Sequence, residues 1–366
     1  MSYPEYMRPN RMESLTSSKP GELALLDWIR ARAAREPGPA LRLGIGDDCA
    51  LLRMRRGEEL AVTTDLSIAG RHFRLDWHTP EVIGHRTLAR GLSDLAAMGA
   101  RPAAAFLSLG LPRDLVQSPK GRGHSHQTWI ARFLEGFLAL ADKYRTPLAG
   151  GDLAESPIPV ADIVLTGAVR RGKALLRSGA RPGHLLYVTG CLGGAAAGLA
   201  QLEQLANALQ RSKGARPTRP PRPPQPPPIP GKLRTLLAPH LFPAPRVAQG
   251  LWLVRHSLAT AAIDLSDGLS TDLTHLCEES GVAAEVDAAM LPIHPAATQA
   301  QALHGGEDYE LLFTAPPSTR VPRSIAGVPV ASIGRILRPL PDTPLVTMVT
   351  KHGLRPLAPK GWQHYS

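Results

Sequence analysis

Carboxylates recur in this chain beside glycine, serine or threonine. Asp47 and Asp48 lie in "LGIGDDCALL", Asp65 closes "ELAVTTD", Asp94 sits in "LARGLSDLAAMGA", and Asp152 ends "TPLAGGD". Asp264 and Asp267 share "AIDLSDGLS", while Glu307 and Asp308 share "HGGEDYE". Adjacent carboxylates repel by about 1 kcal/mol at ~4 Å in water and by about 4 kcal/mol at a protein surface. A cation removes that cost. An oxygen-rich set without a His/Cys cluster suits Mg²⁺, an ion usually shared with substrate phosphates. Taken singly, each acid also suits a turn or a helix cap; their repeated pairing with Gly and Ser/Thr is what points to a set.

Three glycine runs, "GGD", "GCLGGAAAG" and "HGGEDYE", can adopt positive φ and present backbone N–H groups to phosphate oxygens. Neither G-x-x-x-x-G-K-[ST] nor a helix-opening G-x-G-x-x-G is present, so both common nucleotide cradles are excluded.

Strand-like and helix-like segments alternate, the pattern of an α/β protein. "ELAVTTD" reads as a buried strand delivering Asp65 at its end. "TPEVIGHRTLARGLSDLAAMGA" reads as a helix with Thr79 as N-cap, Pro80 in the first turn and Gly99 as the stop. Asp94 shares a helix face with Thr87, Gly91 and Ala97, small residues that admit a close neighbour. "AAAFLSLGLP", "TPLAGGD" (ending on Asp152) and "ADIVLTGAV" read as strands, and "QTWIARFLEGFLALADKY" as an amphipathic helix. After a polar joint near Arg170 the alternation restarts: "HLLYVTG", a glycine-rich turn into a helix, "AAID" with the helix after it, then the strands "GVAAEVDAA", "EDYELLFTA" and "VASIGRIL". Expected domains are therefore 21–170 and 171–366, after a flexible extension over 1–20.

The 366 residues carry a net charge of +11, which invites a nucleic-acid reading. Much of that charge sits in "RSKGARPTRPPRPPQPPPIPGKLR", an acid-free, proline-dominated stretch expected to form an exposed, disordered insertion at 211–231. The basicity belongs to that insertion, and no nucleic-acid partner is expected. No apolar run approaches a membrane span. The opening "MSYPEYMRPNRMESL" lacks the apolar core of a secretory signal, and Met12 is an alternative start. Three scattered cysteines without metal spacing suit a reducing cytoplasm.

The ordered blocks "GIGDDCALL", "TTDLSIAGRHF", "LARGLSDLAAMGARP", "GGD", "GKALLRSGARPG", "AIDLSDGLSTDL" and "GGEDYELLFT" resemble the thiamine-monophosphate kinase family. The resemblance runs from about Gly21 to Trp362, interrupted by the Pro-rich insertion. It implies the two-domain α/β fold, with mixed sheets, of the aminoimidazole ribonucleotide synthetase-like superfamily, whose N-terminal domains pair in a homodimer. It also implies ATP-dependent phosphorylation of thiamine monophosphate to thiamine diphosphate on several Mg²⁺ ions, with ATP as co-substrate.

Carried over position by position, the resemblance gives Asp48, Thr63, Thr64, Asp65, Asp94, Asp152, Asp264 and Asp267 as metal ligands, Asp47 orienting its turn. Tyr144, Gly151, Asp152, Arg177 and Ser266 would meet ATP. His72, Glu307 and Trp362 would line the thiamine phosphate site, Trp362 by stacking on a cationic ring. Asp94, Asp267 and Arg177 would carry catalysis. His184 stands after "ARPG" where the family commonly has aspartate. Two other readings remain open at this point: another ATP-using enzyme of the superfamily, or a polyanion-binding adaptor acting through the basic loop.

Overall fold

The computed structural model describes residues 29–32, 39–45, 49–116, 128–212 and 226–362. Asp47, Asp48, the extension 1–20 and most of the insertion lie outside the described residues. The chain divides into two compact units. The first comprises Met1–Gly91, Pro102–Ala168 and Leu202–Thr235, and the second Leu92–Arg101, Val169–Gln201 and Leu236–Ser366.

In the first unit a hairpin of β1 (Leu41–Leu43) and β2 (Leu51–Leu52) precedes a four-stranded sheet. That sheet contains β3 (Glu58–Ile68), β4 (Arg101–Leu111), β5 (Leu148–Glu155) and β6 (Val160–Arg170), in the order β3-β6-β4-β5. Helix α1 (Pro80–Ala97) starts where Thr79 Oγ1 accepts from the Val82 N–H at 3.4 Å, and the left-handed Gly99 (φ +63°) follows its end. Its apolar residues Leu88, Leu92 and Leu95 are buried. Helix α2 (Trp129–Tyr144) is capped by Thr128 and stopped by the left-handed Arg145. The two helices approach through glycines. A Cβ on Gly84 would lie 2.0 Å from the Phe133 carbonyl oxygen, and one on Gly136 would lie 2.0 Å from that of Glu81. Arg132 and Glu81 form a two-pronged ion pair beside this crossing, at 2.6 and 3.0 Å.

Three local expectations need correction. The strand through Asp65 does not end there: β3 continues to Ile68 and is not buried. Its odd residues Thr63, Asp65 and Ser67 lie on the more buried face, while Thr64 stands on the open face with Leu60, Val62 and Leu66, at 49, 57 and 46% exposure for the three apolar side chains. Strand period two forces this split. Likewise β5 continues past Asp152 to Glu155, its parallel pairing with β4 holding through Leu111. The smallness of Gly91 also has a packing cause, since a Cβ there would stand 3.0 Å from Ile163 and Leu165 side-chain carbons of β6.

The second unit is built on a sheet of β7 (Leu185–Thr189), β8 (Ala261–Asp264), β9 (Ala283–Asp287), β10 (Leu311–Ala315), β11 (Ser324–Ile325), β12 (Val328–Leu337), β13 (Val346–Thr350) and β14 (Gly353–Pro356). The order is β14-β13-β9-β12-β7-β10-β8, with β11 on β12. The sheet mixes senses: β13 runs parallel to β9, and β12, β7, β10 and β8 pair antiparallel. The helices are α3 (Gly194–Ser212), α4 (Arg234–Leu241), α5 (Val247–Arg255), α6 (Leu269–Ser280) and α7 (Gln299–His304). One core joins Leu186 and Val188 of β7, Ile263 of β8, Leu273 and Leu276 of α6, Leu312 of β10 and Ile333 of β12. "EDYELLFTA" becomes a strand only from Leu311, because Glu307 and Tyr309 take left-handed backbone (φ +68° and +50°).

Gly136→Ala should destabilise the protein by at least about 2 kcal/mol in urea titration. Helix propensity favours alanine by about 1 kcal/mol, but overpacking a helix crossing costs more.

Candidate functional site

Strand β8 ends on Asp264, and the chain turns through Leu265–Gly268 into α6. Asp264 is buried, its Oδ2 accepting from Ser93 Oγ at 2.7 Å, which ties it to the residue preceding Asp94 on α1. Burial pushes the Asp264 carboxyl up; the Ser93 hydrogen bond and the charge of Arg177 pull it back, and Asp267 pushes it further up. The turn itself is held by Asp272, whose Oδ2 accepts from the N–H groups of Asp267 (3.1 Å) and Gly268 (3.0 Å). Asp272 is buried and pushed up to about 8, by burial first and then by Asp264 and Asp267.

Two further expected residues are fastened to this turn through backbone. The Ser266 carbonyl accepts from the Glu307 N–H at 2.8 Å, and the Asp267 carbonyl accepts from the Trp362 N–H at 3.1 Å. Gly361 N–H bonds Thr271 Oγ1 at 3.0 Å, and a Cβ on Gly361 would lie 2.0 Å from the Asp267 carbonyl oxygen, so glycine is required for this seat. Trp362 stays 48% exposed. Arg177 opens a short 3₁₀ turn whose carbonyl accepts from Ser280 Oγ. The second unit therefore brings Asp264, Ser266, Asp267, Glu307 and Trp362 to one turn, with Arg177 close enough to act on Asp264 electrostatically.

The "GGEDYE" segment has three internal anchors. Asp308 accepts from Gly193 N–H (2.5 Å) and Ala195 N–H (3.0 Å) at the start of α3. The "GCLGGAAAG" run therefore spends these N–H groups on a carboxylate of its own chain, not on a phosphate. Burial pushes Asp308 up to about 7 against the pull of these two bonds. Glu310 is buried and gripped by Arg246 through both carboxylate oxygens, Nε to Oε2 at 2.6 Å. Thr189 Oγ1 donates to Glu310 Oε2 at 2.7 Å and accepts from the Leu311 N–H at 2.8 Å. Glu307 approaches the buried His240, Oε2 to Nδ1 3.6 Å.

Asp94 follows Ser93 on α1 in the second unit, and the other expected residues that are described belong to the first unit. Arg90 Nε donates to Asp65 Oδ2 at 2.7 Å and Arg90 Nη1 to Ser67 Oγ at 3.4 Å. His72 Nδ1 accepts from the Ile68 N–H at 3.1 Å, which leaves the proton of a neutral ring on Nε2. Ser67, His72, Phe73, Arg86 and Arg90 line a small recess. Asp152 is exposed, its Oδ1 accepting from the Leu153 N–H, and Gly151 has no room for a Cβ, which would meet the Leu107 carbonyl oxygen at 1.9 Å. Tyr144 closes α2 with Lys143 Nζ 5.3 Å from its ring centre. Among the described residues, no three His, Cys, Asp or Glu side chains gather closely enough to hold one ion. Sequence reasoning missed Ser93, His240, Arg246 and Asp272; of these only Asp272, an acid in the first turn of a helix, carried a local signal.

The AIR synthase related protein, N-terminal domain family matches residues 46–169. Crystal structures of the hydrogenase maturation protein HypE share the fold at 17% identity, one with TM-score 0.63 over 95% of this chain and 96% of its own. Thiamine-monophosphate kinase from Escherichia coli K12 is 39% identical over 330 residues, 86% of this chain and 90% of that protein. The crystal structure of thiamine-monophosphate kinase from Stenotrophomonas maltophilia is 38% identical, with TM-score 0.71 over 89% of this chain and 96% of that one. AaThiL complexed with AMPPCP and TMP is 29% identical, with TM-score 0.67 over 94% and 97%. The fold and the acidic turn thus define an AIR synthase-like α/β protein. The chain belongs to the thiamine-monophosphate kinase family and is a kinase.

Asp308, raised in the folded state, contributes stability that is complete below its unfolded pKa and is lost as pH rises toward about 7. Asp308→Asn keeps an acceptor oxygen for one of the two N–H groups, turns its amide NH2 toward the other at a pH-independent cost, and removes the titration. Relative to wild type it should gain about 1.4 kcal/mol per pH unit between pH 5 and 7 in urea denaturation.

Proposed function

We propose that the protein transfers the γ-phosphoryl group of ATP to the phosphate of thiamine monophosphate, giving thiamine diphosphate. The observation that carries this reading is the joint anchoring of Glu307 and Trp362 on the carbonyls of Ser266 and Asp267. It sets an acid, a half-exposed indole and the acidic β8 turn side by side. An indole face suits a cationic heterocycle, and a phosphate-rich ligand suits a carboxylate set that binds cations. Relatives named for this reaction, and a relative held with an ATP analogue and TMP, support the same substrates.

The carboxylates fit divalent cations: Asp264 is buried and pushed up by burial and by Asp267, a state that added positive charge would relieve. Asp94, Asp264 and Asp267 of the second unit, and Thr63, Asp65 and Asp152 of the first, are the residues that would hold Mg²⁺. Thr64 would serve through its backbone only, since its side chain is on the other face. Bound Mg²⁺ supplies neutralisation of the charge on two polyanions and of the transition state. An acceptor phosphate oxygen is already ionised at neutral pH, so the chain needs no strong general base for direct in-line transfer. Arg177 adds positive charge to the nucleotide phosphates, Ser266 and the bare backbone at Gly151 accept them closely, and Tyr144 packs on the nucleotide. His72, through Nε2–H, and Glu307 orient the acceptor while Trp362 covers its ring.

The open face of β3, an edge strand carrying Leu60, Val62 and Leu66, supports a homodimer built on the first unit. No described helix is long and apolar enough to cross a membrane. The three cysteines are free, which accords with a reducing cytoplasm.

With ATP and Mg²⁺, thiamine monophosphate should be converted and free thiamine should not, because the acceptor brings its own phosphate; conversion of thiamine at a comparable rate would sink the reading. Asp94→Asn should melt like wild type and lose on the order of 10²-fold or more in kcat/KM, as expected when a charged ligand is neutralised. Val62→Lys should halve the mass in light scattering; an unchanged mass would remove β3 as the interface.

A further inference from the structure

The glycine-rich start of α3 serves a close approach. A Cβ on Gly194 would stand 3.2 Å from Pro239 Cβ, and one on Gly198 would stand 2.9 Å from His240 Cβ. These two positions, one helical turn apart, let α4 sink against α3. The side chain placed by that approach is an imidazole with 2% exposure, although an aliphatic residue fills such a position without desolvating two ring nitrogens. Its Nδ1 faces Glu307 Oε2 at 3.6 Å, within ion-pair range and longer than a hydrogen bond.

Glu307 is unusual in its own right. It is a non-glycine residue at φ +68°, two residues before Tyr309 at φ +50°, a backbone region that L side chains rarely adopt. The surroundings over-determine it: Glu307 N–H is bonded to the Ser266 carbonyl, Tyr309 N–H to that of Leu265, and Asp308 to the start of α3. These bonds fix where the Glu307 backbone sits, but they do not fix its χ angles. The side chain keeps 27% of its surface open, and the buried His240 ring is a fixed wall that it faces.

We propose that His240 is a positioning residue that selects the Glu307 rotamer reaching the acceptor substrate. It touches no reacting atom and acts through the Glu307 carboxylate. The inference rests on the proposed function in one respect, that Glu307 contacts thiamine monophosphate. A carboxylate held in one orientation binds a cationic amino-heterocycle without first losing rotamer freedom, so the benefit falls on acceptor binding.

The test is a double-mutant cycle on the full-length protein, with KM for each substrate, kcat, and calorimetric titration of thiamine monophosphate. His240→Ala should raise KM and Kd for thiamine monophosphate about five- to tenfold, with KM for ATP within about twofold. His240→Asn, which returns an N–H near the Nδ1 position, should recover most of that loss. In a Glu307→Gln background the effect of His240→Ala should vanish, whereas a purely structural role would give the same loss in both backgrounds. His240→Leu replaces the alanine variant if the latter does not fold, since it fills the space. A wild type that neither binds nor phosphorylates thiamine monophosphate would overturn the functional reading and this inference with it. A wild type that does, combined with equal losses in both backgrounds, with no loss in His240→Ala, or with Glu307→Gln at wild-type KM, would overturn the inference alone.

Discussion

Burying carboxylates is the constraint around which the second unit is arranged. An ionised group moved out of water loses several kcal/mol of solvation even after relaxation, and the cost rises when a like charge stands nearby. Asp264, Asp272, Asp308 and Glu310 are all taken out of water, Asp272 within the field of Asp264 and Asp308 within that of Glu310. Each is compensated differently, and the difference separates scaffold from site. Glu310 meets a guanidinium and a hydroxyl; Asp272 and Asp308 each collect two backbone N–H groups. Asp264, as enclosed as Asp272 and Glu310, has the Ser93 hydroxyl, its own backbone N–H and the more distant charge of Arg177. A position so enclosed and so lightly compensated is where an added cation gains most.

The compensated acids make the rest possible. Glu310, gripped by Arg246, leaves no room for a Cβ at Gly190, where one would fall 1.9 Å from Oε1. Breaking a buried pair of this kind leaves an uncompensated charge and typically costs 3–5 kcal/mol. Next to this pair Glu307 and Tyr309 hold left-handed backbone, their N–H groups bonded to the Ser266 and Leu265 carbonyls. The C-terminal Gly361–Trp362 segment reaches the same turn from the opposite end of the sequence.

Much of this was legible in the residues. The cap at Thr79, the stop at Gly99, the buried stripe of α1 and the strands "HLLYVT" and "AAID" follow from period and punctuation alone. The acidic turn was legible because acids beside glycine and serine have few roles. Other features were not, because their causes are tertiary. β3 runs past Asp65 to Ile68 within a four-stranded sheet, and Thr64 leaves the face of Asp65 because a strand alternates. Gly91, Gly194 and Gly198 are small on account of Ile163, Pro239 and His240, residues far away in sequence. Nothing near position 310 announces that Glu310 meets Arg246.

Two of the three glycine runs show why composition misleads about phosphate cradles. A helix N-terminus following glycines offers N–H groups to any anion. In "GCLGGAAAG" the anion is the chain's own Asp308, and the same glycines admit α4. In "GGD" the bare backbone at Gly151 is pressed against the Leu107 carbonyl, so the glycine is required for strand pairing whatever else it binds. A glycine-rich motif becomes a ligand site only where its N–H groups have no internal acceptor. By that measure the start of α3 is closed by Asp308, and the Asp267 and Gly268 N–H groups of the β8–α6 turn are closed by Asp272, so that turn has side chains rather than these N–H groups to offer a ligand.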